Sequence, residues 1–126
     1  MSQKTVLLVE DEDNIALALS HLIGRAGYAL RRVATGTDAM VALAEQRPDL
    51  VVLDVMLPGK SGYEICQLIR RDEALKGVKV LMITAGGGEM ERRKGMAVGA
   101  DAFMTKPFST ADLTQKVCAL LEGTHD

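Results

Sequence analysis

The sequence has 126 residues and a formal charge of −2, with 48% hydrophobic, 25% charged and 3% aromatic residues. This length fits one domain with a single core, so we expect one domain spanning residues 1–126, with a core filled by aliphatic side chains. The nearly neutral charge gives no general attraction to nucleic acid or to an anionic membrane, because either partner would require a basic patch.

The termini and cysteines indicate a cytoplasmic protein. The start of the chain, Met1 to Lys4, leads directly into an apolar strand rather than a signal region, and the apolar runs are far shorter than the ~18 residues of a membrane span. Cys66 and Cys118 lie in predicted helices without metal-ligand spacing, which favours reduced packing residues.

The first half of the chain alternates apolar runs with helical periodicity. The pattern predicts a strand over 5–9, a helix that Asp13 or Asn14 caps and Gly27 ends, a more polar strand over 29–33, and a helix that opens at 35–37 and ends before Pro48. The polar character of the second strand is typical of a sheet edge.

The apolar residues Leu50 to Leu53 lead into Asp54, and Pro58-Gly59 then breaks the chain. Such a run is typical of a strand buried on both faces. Ligands bind at the carboxyl ends of parallel strands, which makes Asp54 a functional candidate. On this stretch alone, an ordinary turn residue is an equally good interpretation.

The second half continues the alternation. The pattern predicts a helix from 61–62 onward, a strand over 78–84, a weak helix around 90–98, a short strand over 102–105, and a last helix that Ser109 or Thr110 caps. Gly95 lowers the stability of the fourth helix. Five strand–helix units predict an α/β fold with a doubly wound parallel sheet and helices on both faces.

Charged or hydroxyl side chains lie at or just after the ends of several of these strands: Glu10 and Asp11 after the first, Asp54 at the end of the third, Thr84 at the end of the fourth, and Lys106 after the fifth. The fold would gather them at one edge of the sheet. Three carboxylates without His or Cys favour a hard cation, Mg2+ before Ca2+. A carboxylate, a cation, a hydroxyl and an ammonium together suit phosphoryl transfer to Asp54, with the backbone N–H of Ala85 as a further donor.

The chain resembles the receiver domain of bacterial two-component response regulators over essentially its whole length. Four motifs carry the resemblance: Leu8-Val9-Glu10-Asp11, Leu53-Asp54-Val55-Met56-Leu57-Pro58, Ile83-Thr84-Ala85, and the run from Gly99 to Phe108. The resemblance implies a flavodoxin-like, five-stranded sheet of order 2-1-3-4-5 flanked by five helices.

The resemblance also implies a role for each matching residue. Asp54 would accept a phosphoryl group from the phosphohistidine of a sensor histidine kinase or a histidine phosphotransfer protein. Mg2+ would be bound by Glu10, Asp11, Asp54 and the backbone carbonyl of Met56. Thr84 and Lys106 would contact the phosphoryl group, and Thr84 and Phe103 would form the switch. The peptide bond between Lys106 and Pro107 would be cis.

Three features depart from the family pattern. Glu10 replaces the commoner Asp, Phe103 stands where many relatives have Tyr, and the run from Gly86 through Gly87 to Gly88 is unusually bare. The glycine run is interpreted as a floppy surface linker, or alternatively as a loop that rearranges easily.

These observations favour a phosphorylation-dependent signalling module that passes its signal to a further protein and neither turns over a separate substrate nor binds nucleic acid or membrane itself. A free-standing receiver, monomeric or weakly dimeric on phosphorylation, is favoured over the excised receiver of a DNA-binding regulator, because Ala102 and Lys116 replace an acid and an Arg used in dimer contacts there. A Mg2+-dependent phosphatase is disfavoured because Met56 stands where a second acid is expected, and a flavodoxin-like cofactor binder because the first loop is acidic.

Overall fold

The computed structural model describes residues 3–86 and 88–123, in which five strands alternate with five helices. The elements in chain order are β1 (Thr5–Val9), α1 (Asp13–Arg25), β2 (Ala29–Val33), α2 (Gly36–Glu45), β3 (Leu50–Asp54), α3 (Gly62–Arg71), β4 (Lys79–Thr84), α4 (Glu89–Ala97), β5 (Ala102–Thr105) and α5 (Thr110–Glu122).

All strand pairs are parallel, and the sheet has the order β2-β1-β3-β4-β5. This confirms the predicted doubly wound α/β fold and its strand order. In the register of the sheet, Val9 lies opposite Leu53 and Leu53 lies opposite Met82. The residues that follow β1 and β3 therefore emerge side by side at one edge.

The sheet separates two apolar layers, because successive side chains of a strand point to opposite faces. Leu7 and Val9 of β1 belong to the layer beneath α2 and α3, whereas Val6 and Leu8 belong to the layer beneath α1 and α5. The central strand β3 is buried along its whole length. Its carboxyl end is consequently held in place from both faces.

Most helices begin where the sequence predicts, but the predicted cap of α1 is wrong. Neither Asp13 nor Asn14 caps this helix: its N-cap is Glu12, which makes no side-chain capping bond. Asp13 instead lies in the first helical turn, where its carboxylate interacts favourably with the helix dipole and pairs with Arg32 at 3.0 Å. Ser61 and Ser109 cap α3 and α5 through their side chains.

Helix α4 is the least embedded of the five helices. Gly95 is its only buried residue among those described, and its N-cap, Gly88, offers no side chain for capping. Gly86 and Gly88 are exposed, while Gly87 lies outside the described residues. The weak fourth helix that the sequence predicts is thus present, over Glu89–Ala97.

None of the helices in the described part of the chain combines the length and apolarity needed to cross a bilayer.

Arg70 fastens the end of α3 to the segments that enter β4 and β5. Its guanidinium donates to the carbonyl oxygens of Gly99 (2.9 Å), Val78 (2.6 Å) and Lys76 (3.0 Å), and to Asp101 Oδ2 at 2.7 Å. The same Asp101 oxygen accepts from the backbone N–H of Val80 at 2.8 Å. One partly buried cation therefore satisfies acceptors from two connections.

Replacing Arg70 with Ala should lower the free energy of unfolding by about 2–3 kcal/mol, because it removes hydrogen bonds to a charged group and leaves carbonyl acceptors unpaired. Urea denaturation would measure this change. Arg71→Ala, which removes an adjacent exposed arginine, is the matched control and should change the stability by less than about 0.5 kcal/mol. Equal effects of the two substitutions would contradict the role of Arg70.

Candidate phosphoacceptor site

Two acidic side chains are buried at the carboxyl edge of the sheet. Glu10 directly follows β1 and is 1% exposed, and Asp54 ends β3 and is 5% exposed. Backbone hydrogen bonds hold both segments, since Glu10 N–H donates to Val33 at 3.1 Å and Val55 N–H donates to Ile83 at 2.9 Å. The sheet thus places two carboxylates next to each other, away from most solvent.

Lys106 lies between these two acids. Its Nζ donates to Glu10 Oε1 at 3.2 Å and to Asp54 Oδ2 at 3.1 Å, and its side chain is 15% exposed. The backbone N–H of Lys106 donates to the carbonyl of Thr84 at 2.7 Å, which fixes the segment after β5 against the end of β4. Residues far apart in the chain therefore form one charged cluster, as the sequence predicts.

The other oxygen of each buried acid accepts from a nearby backbone N–H. Glu12 donates to Glu10 Oε2 at 3.1 Å, and Met56 donates to Asp54 Oδ1 at 3.0 Å. Both carboxylates are consequently fixed in orientation by local backbone as well as by Lys106. One oxygen of each faces the ammonium and the other faces its own loop.

Arg32 supports this cluster from the edge strand, a role that the sequence does not reveal. Its guanidinium donates to the backbone carbonyl of Glu10 at 2.9 and 2.7 Å and also pairs with Asp13. Two consecutive arginines in β2 indicate only an edge strand in the sequence. The sequence signal that could have directed attention here is a cation in a strand paired directly with β1.

The electrostatics of the cluster follow from burial and from its mixed charges. Burial raises the pKa of Glu10 above its ordinary value and the charge of Asp54 adds to this, whereas the Glu12 N–H and Lys106 oppose it. Burial alone would lower the pKa of Lys106, but its bonds to Asp54 and Glu10 outweigh that effect and raise it. Lys106 therefore remains a cation at neutral pH.

Glu10, Asp11 and Asp54 each offer a carboxylate oxygen within 4.8 Å of the others. Asp11 is exposed, so this group opens to solvent on one side while the other two acids line its floor. Oxygen donors alone suit a hard divalent cation, and a small number of carboxylates with room for water suits Mg2+. The donor set present therefore fits the predicted metal.

Thr84 and Phe103 lie on the neighbouring strands β4 and β5. Thr84 is buried at the end of β4, and its hydroxyl accepts from Gly86 N–H at 3.2 Å. Within residues 3–86 and 88–123, no hydrogen bond joins this side chain to Asp54 or Lys106. Phe103 pairs in register with Met82, so it lies on the same face of the sheet as Thr84, one side-chain step away.

Gly95 provides the space that the Phe103 ring occupies. A Cβ at position 95 would lie 2.9 Å from Phe103 Cδ2, so the ring would have to shift, and a tight 3.1 Å from the Met82 sulfur. In the sequence this glycine indicates only a weak helix. Its steric role depends on a strand and a helix meeting in the fold, and a glycine inside a helical pattern is the only sequence signal of it.

Gly62 has a comparable role next to the acid. A Cβ at position 62 would lie 2.6 Å from the carbonyl oxygen of Asp54, and its N–H donates to the Val55 carbonyl at 3.0 Å. The sequence indicates only that a helix starts here. The first turn of α3 is therefore packed directly on the backbone of the segment that carries Asp54.

The remaining predicted site residues lie around the cluster. Met56 has an exposed side chain, and Ala85 follows Thr84 at the exposed start of the glycine loop. The peptide bond between Lys106 and Pro107 is cis.

Comparisons with known proteins identify the family. The sequence family described as "Response regulator receiver domain" matches residues 6–118. The chain is 39% identical over 116 residues to the phosphate regulon transcriptional regulatory protein PhoB of Rhizobium meliloti, covering 92% of this chain and 51% of that protein. It is 38% identical over 118 residues to the transcriptional regulatory protein GltR of Pseudomonas aeruginosa, covering 94% and 49%. The chain thus spans about half the length of these curated relatives.

Solved structures show the same similarity. A putative response regulator from Chloroflexus aurantiacus superposes with a TM-score of 0.91 at 34% identity, covering 96% of this chain and 99% of that one. The chemotaxis response regulator CheY4 of Vibrio cholerae superposes with a TM-score of 0.89 at 29% identity, covering 95% and 100%. With the match over residues 6–118, these similarities show that the chain belongs to the family of response regulator receiver domains of two-component systems.

Proposed function

We propose that Asp54 accepts a phosphoryl group from the phosphohistidine of a sensor histidine kinase or a histidine phosphotransfer protein. The observation that carries this proposal is the geometry of its carboxylate, which is buried, oriented by Met56 N–H and Lys106, and grouped with Glu10 and Asp11. An Asp54 oxygen forms the new bond to phosphorus while the bond from phosphorus to the histidine nitrogen breaks, and the electron pair leaves with the imidazole.

The residues around Asp54 would offset the negative charge of the transferring phosphoryl oxygens in different ways. Glu10, Asp11 and Asp54, with the backbone carbonyl of Met56, would hold Mg2+, which supplies positive charge for the transferring oxygens. Lys106 is already within hydrogen-bonding distance of Asp54 and would contact a phosphoryl oxygen. Thr84 would turn its hydroxyl from Gly86 N–H toward the same group.

The proposed switch uses the contact between β5 and α4. When Thr84 moves toward the phosphoryl group, it leaves space on the face of the sheet that Phe103 shares, and the ring moves inward. Because Phe103 packs on Gly95, a shift of the ring changes the position of α4 on the sheet. The altered face around α4 and β5 would be recognised by a downstream protein in the cytoplasm.

The same site does not favour turnover of a separate substrate. A phosphatase with an aspartate nucleophile requires a second acid to protonate the leaving group, and Met56, 73% exposed, stands two positions after Asp54. The proposed activity is therefore phosphoryl acceptance followed by slow self-dephosphorylation, and not hydrolysis of free phosphoesters.

Two ways of passing on the signal are compatible with the family: through an attached DNA-binding unit, or as a monomeric receiver. The relatives named as transcriptional regulators are about twice as long as the matched region, which supports a receiver joined to a DNA-binding unit. Ala102 and the exposed Lys116 lack the acid and Arg that support dimer contacts in such receivers, which supports a receiver that acts as a monomer. We favour the second arrangement on the basis of these two residues.

Replacing Asp54 with Ala should abolish phosphorylation of the protein by acetyl phosphate, because the nucleophilic oxygen is removed. EDTA should abolish labelling of the unaltered protein as well, and added Mg2+ should restore it. Intact-protein mass spectrometry would detect the added phosphoryl mass. Asp38→Ala, which removes an exposed acid from α2, should label normally. Full labelling of the Asp54 variant would place the acceptor elsewhere.

Replacing Lys106 with Ala should destabilise the metal-free protein by about 2–3 kcal/mol at pH 7, because Glu10 and Asp54 would face each other without a cation. The folded protein would then bind more protons than the unfolded chain, since burial and the charge of Asp54 raise the pKa of Glu10. The loss of stability should therefore shrink as the pH falls through the raised pKa of Glu10.

Urea denaturation across this pH range, with and without Mg2+, measures the effect of Lys106→Ala. Mg2+ should recover part of the lost stability at pH 7 by replacing the missing positive charge. Lys79→Ala, at the exposed opposite end of β4, is the charge-matched control and should show neither response. A pH-independent loss in the Lys106 variant would contradict the proposed charge balance.

Sizing the protein by light scattering should give a monomer both without and with beryllofluoride and Mg2+. The double variant Ala102→Asp, Lys116→Arg, which introduces the acid and the Arg, serves as the comparison and should shift toward dimer on activation. A beryllofluoride-dependent dimer of the unaltered protein would favour the transcriptional-regulator arrangement instead.

A further inference from the structure

The side chain of Tyr63 joins α3 to α4. Tyr63 is 9% exposed, and its hydroxyl donates to Glu91 Oε2 at 2.9 Å and lies 3.4 Å from the carbonyl oxygen of Glu91. The Nζ of Lys94, one helical turn further along α4, lies 4.5 Å from the centre of the Tyr63 ring. A single aromatic residue thus receives a hydrogen-bonded contact and a cation–π contact from the same helix.

These contacts matter because α4 has few others. Gly95 is the single buried residue of this helix within the described part of the chain, and a glycine contributes no side chain to the core. Among the residues that the structure describes, the ion pair of Arg93 is with Glu89 of the same helix, at 3.4 Å. The hydroxyl of Tyr63, bonded to a carboxylate, is therefore a major polar attachment of α4 to the rest of the domain.

The backbone next to Tyr63 is packed on the segment that carries Asp54. Gly62, the preceding residue, donates its N–H to the carbonyl of Val55 at 3.0 Å. It also approaches the Asp54 carbonyl so closely that a Cβ would lie 2.6 Å from that oxygen. Val55 in turn donates to Ile83 of β4. A displacement of the backbone after Asp54 must therefore move the first turn of α3, or else break these contacts.

The Tyr63 hydroxyl keeps the proton that it donates to Glu91 through the neutral pH range. Burial, followed by the hydrogen bond and charge of Glu91, raises the pKa of Tyr63 to about 12. The phenol consequently remains protonated, and a carboxylate is the stronger acceptor for it.

We propose that Tyr63 and Glu91 form a latch, the Tyr63–Glu91 latch, that transmits displacement of the Asp54 segment to α4. Tyr63 is a positioning residue in this role, because within the described residues its hydroxyl bonds to Glu91 and not to Glu10, Asp54 or Lys106. The latch works beside the path through Thr84 and Phe103, which reaches α4 from β5. This inference rests on the proposed function of Asp54.

The variant Tyr63→Phe removes the hydroxyl and keeps the ring, so the apolar packing beneath α3 and the contact with Lys94 are retained. Backbone amide NMR would be recorded with and without beryllofluoride and Mg2+. We expect the chemical-shift changes of residues 89–97 to fall to half or less of their size in the unaltered protein. The changes at Thr84 and Phe103 should persist, because that path remains intact.

Tyr28 offers a matched control elsewhere in the fold. It is also 9% exposed, and its hydroxyl donates to Glu122 Oε2 at 2.9 Å, so Tyr28→Phe removes an equivalent bond, to α5 instead of α4. This variant should leave the response of residues 89–97 unchanged. A second pair of variants tests the partner: Glu91→Ala should reproduce the effect of Tyr63→Phe, whereas Glu91→Gln, which retains an acceptor oxygen, should retain most of the response.

Amide hydrogen exchange without beryllofluoride gives an independent measurement. In Tyr63→Phe the amides of α4 should exchange about 10- to 100-fold faster, the range expected from losing one hydrogen bond to a charged group. Tyr28→Phe should leave the exchange in α4 unchanged.

The outcomes separate the latch from the function on which it rests. If the unaltered protein shows no response to beryllofluoride at Asp54, Thr84 or α4, the proposed function fails and the latch fails with it. If the unaltered protein responds and Tyr63→Phe shows the same response in α4, the latch alone is overturned. It is overturned equally if Tyr63→Phe loses the Thr84 response, because the hydroxyl would then support the site itself.

Discussion

The bond of Lys106 to two buried acids is the interaction on which the site depends. Glu10 and Asp54 follow neighbouring parallel strands, so the sheet forces their carboxylates together, and burial makes that proximity costly unless a cation lies between them. Lys106 supplies the cation from the segment that follows β5. In the proposed function, a divalent ion would contribute to the same charge balance, and the ammonium could then contact phosphoryl oxygens. The ion pairs that stabilise the metal-free domain would in that case also form part of the proposed phosphoacceptor site.

The sequence predicts the strands and the reactive residues at their ends well, because both depend on local sequence patterns. The buried strand before Asp54 is recognisable from its continuous apolar run, and the parallel α/β alternation follows from five such units. The strand ends then predict which residues meet: the convergence of Glu10, Asp54 and Lys106 requires only that parallel strands finish at the same edge. The strand order and the individual roles are implied only by the resemblance to a family, since no local pattern contains them.

The features that the sequence does not reveal depend on which elements become neighbours. Arg32 is an edge-strand cation in the sequence and a support for the Glu10 backbone in the fold. Gly95 lowers helix propensity in the sequence and makes room for Phe103 in the fold. The predicted cap of α1, Asp13 or Asn14, is wrong for a related reason: Asp13 lies in the first helical turn, where it pairs with Arg32, and Glu12 takes the N-cap position. Local propensity identifies the residue types that can act, and tertiary contacts decide among the available roles.

The weak attachment of α4 suits the proposed switch. A small rearrangement at Asp54 can supply only a few kcal/mol, so it can move only an element whose attachments are of that size. A helix buried along one face, as α5 is through Leu113, Val117 and Leu121, would resist such a change. In the described part of the chain, α4 instead packs through Gly95 on Phe103 and contacts the hydroxyl and ring of Tyr63, with the exposed Gly86 and Gly88 before it. The first contact connects α4 to β5, and the second connects it through α3 to the segment after Asp54. A helix held at two such points can respond to the state of one carboxylate while the sheet beneath it remains rigid.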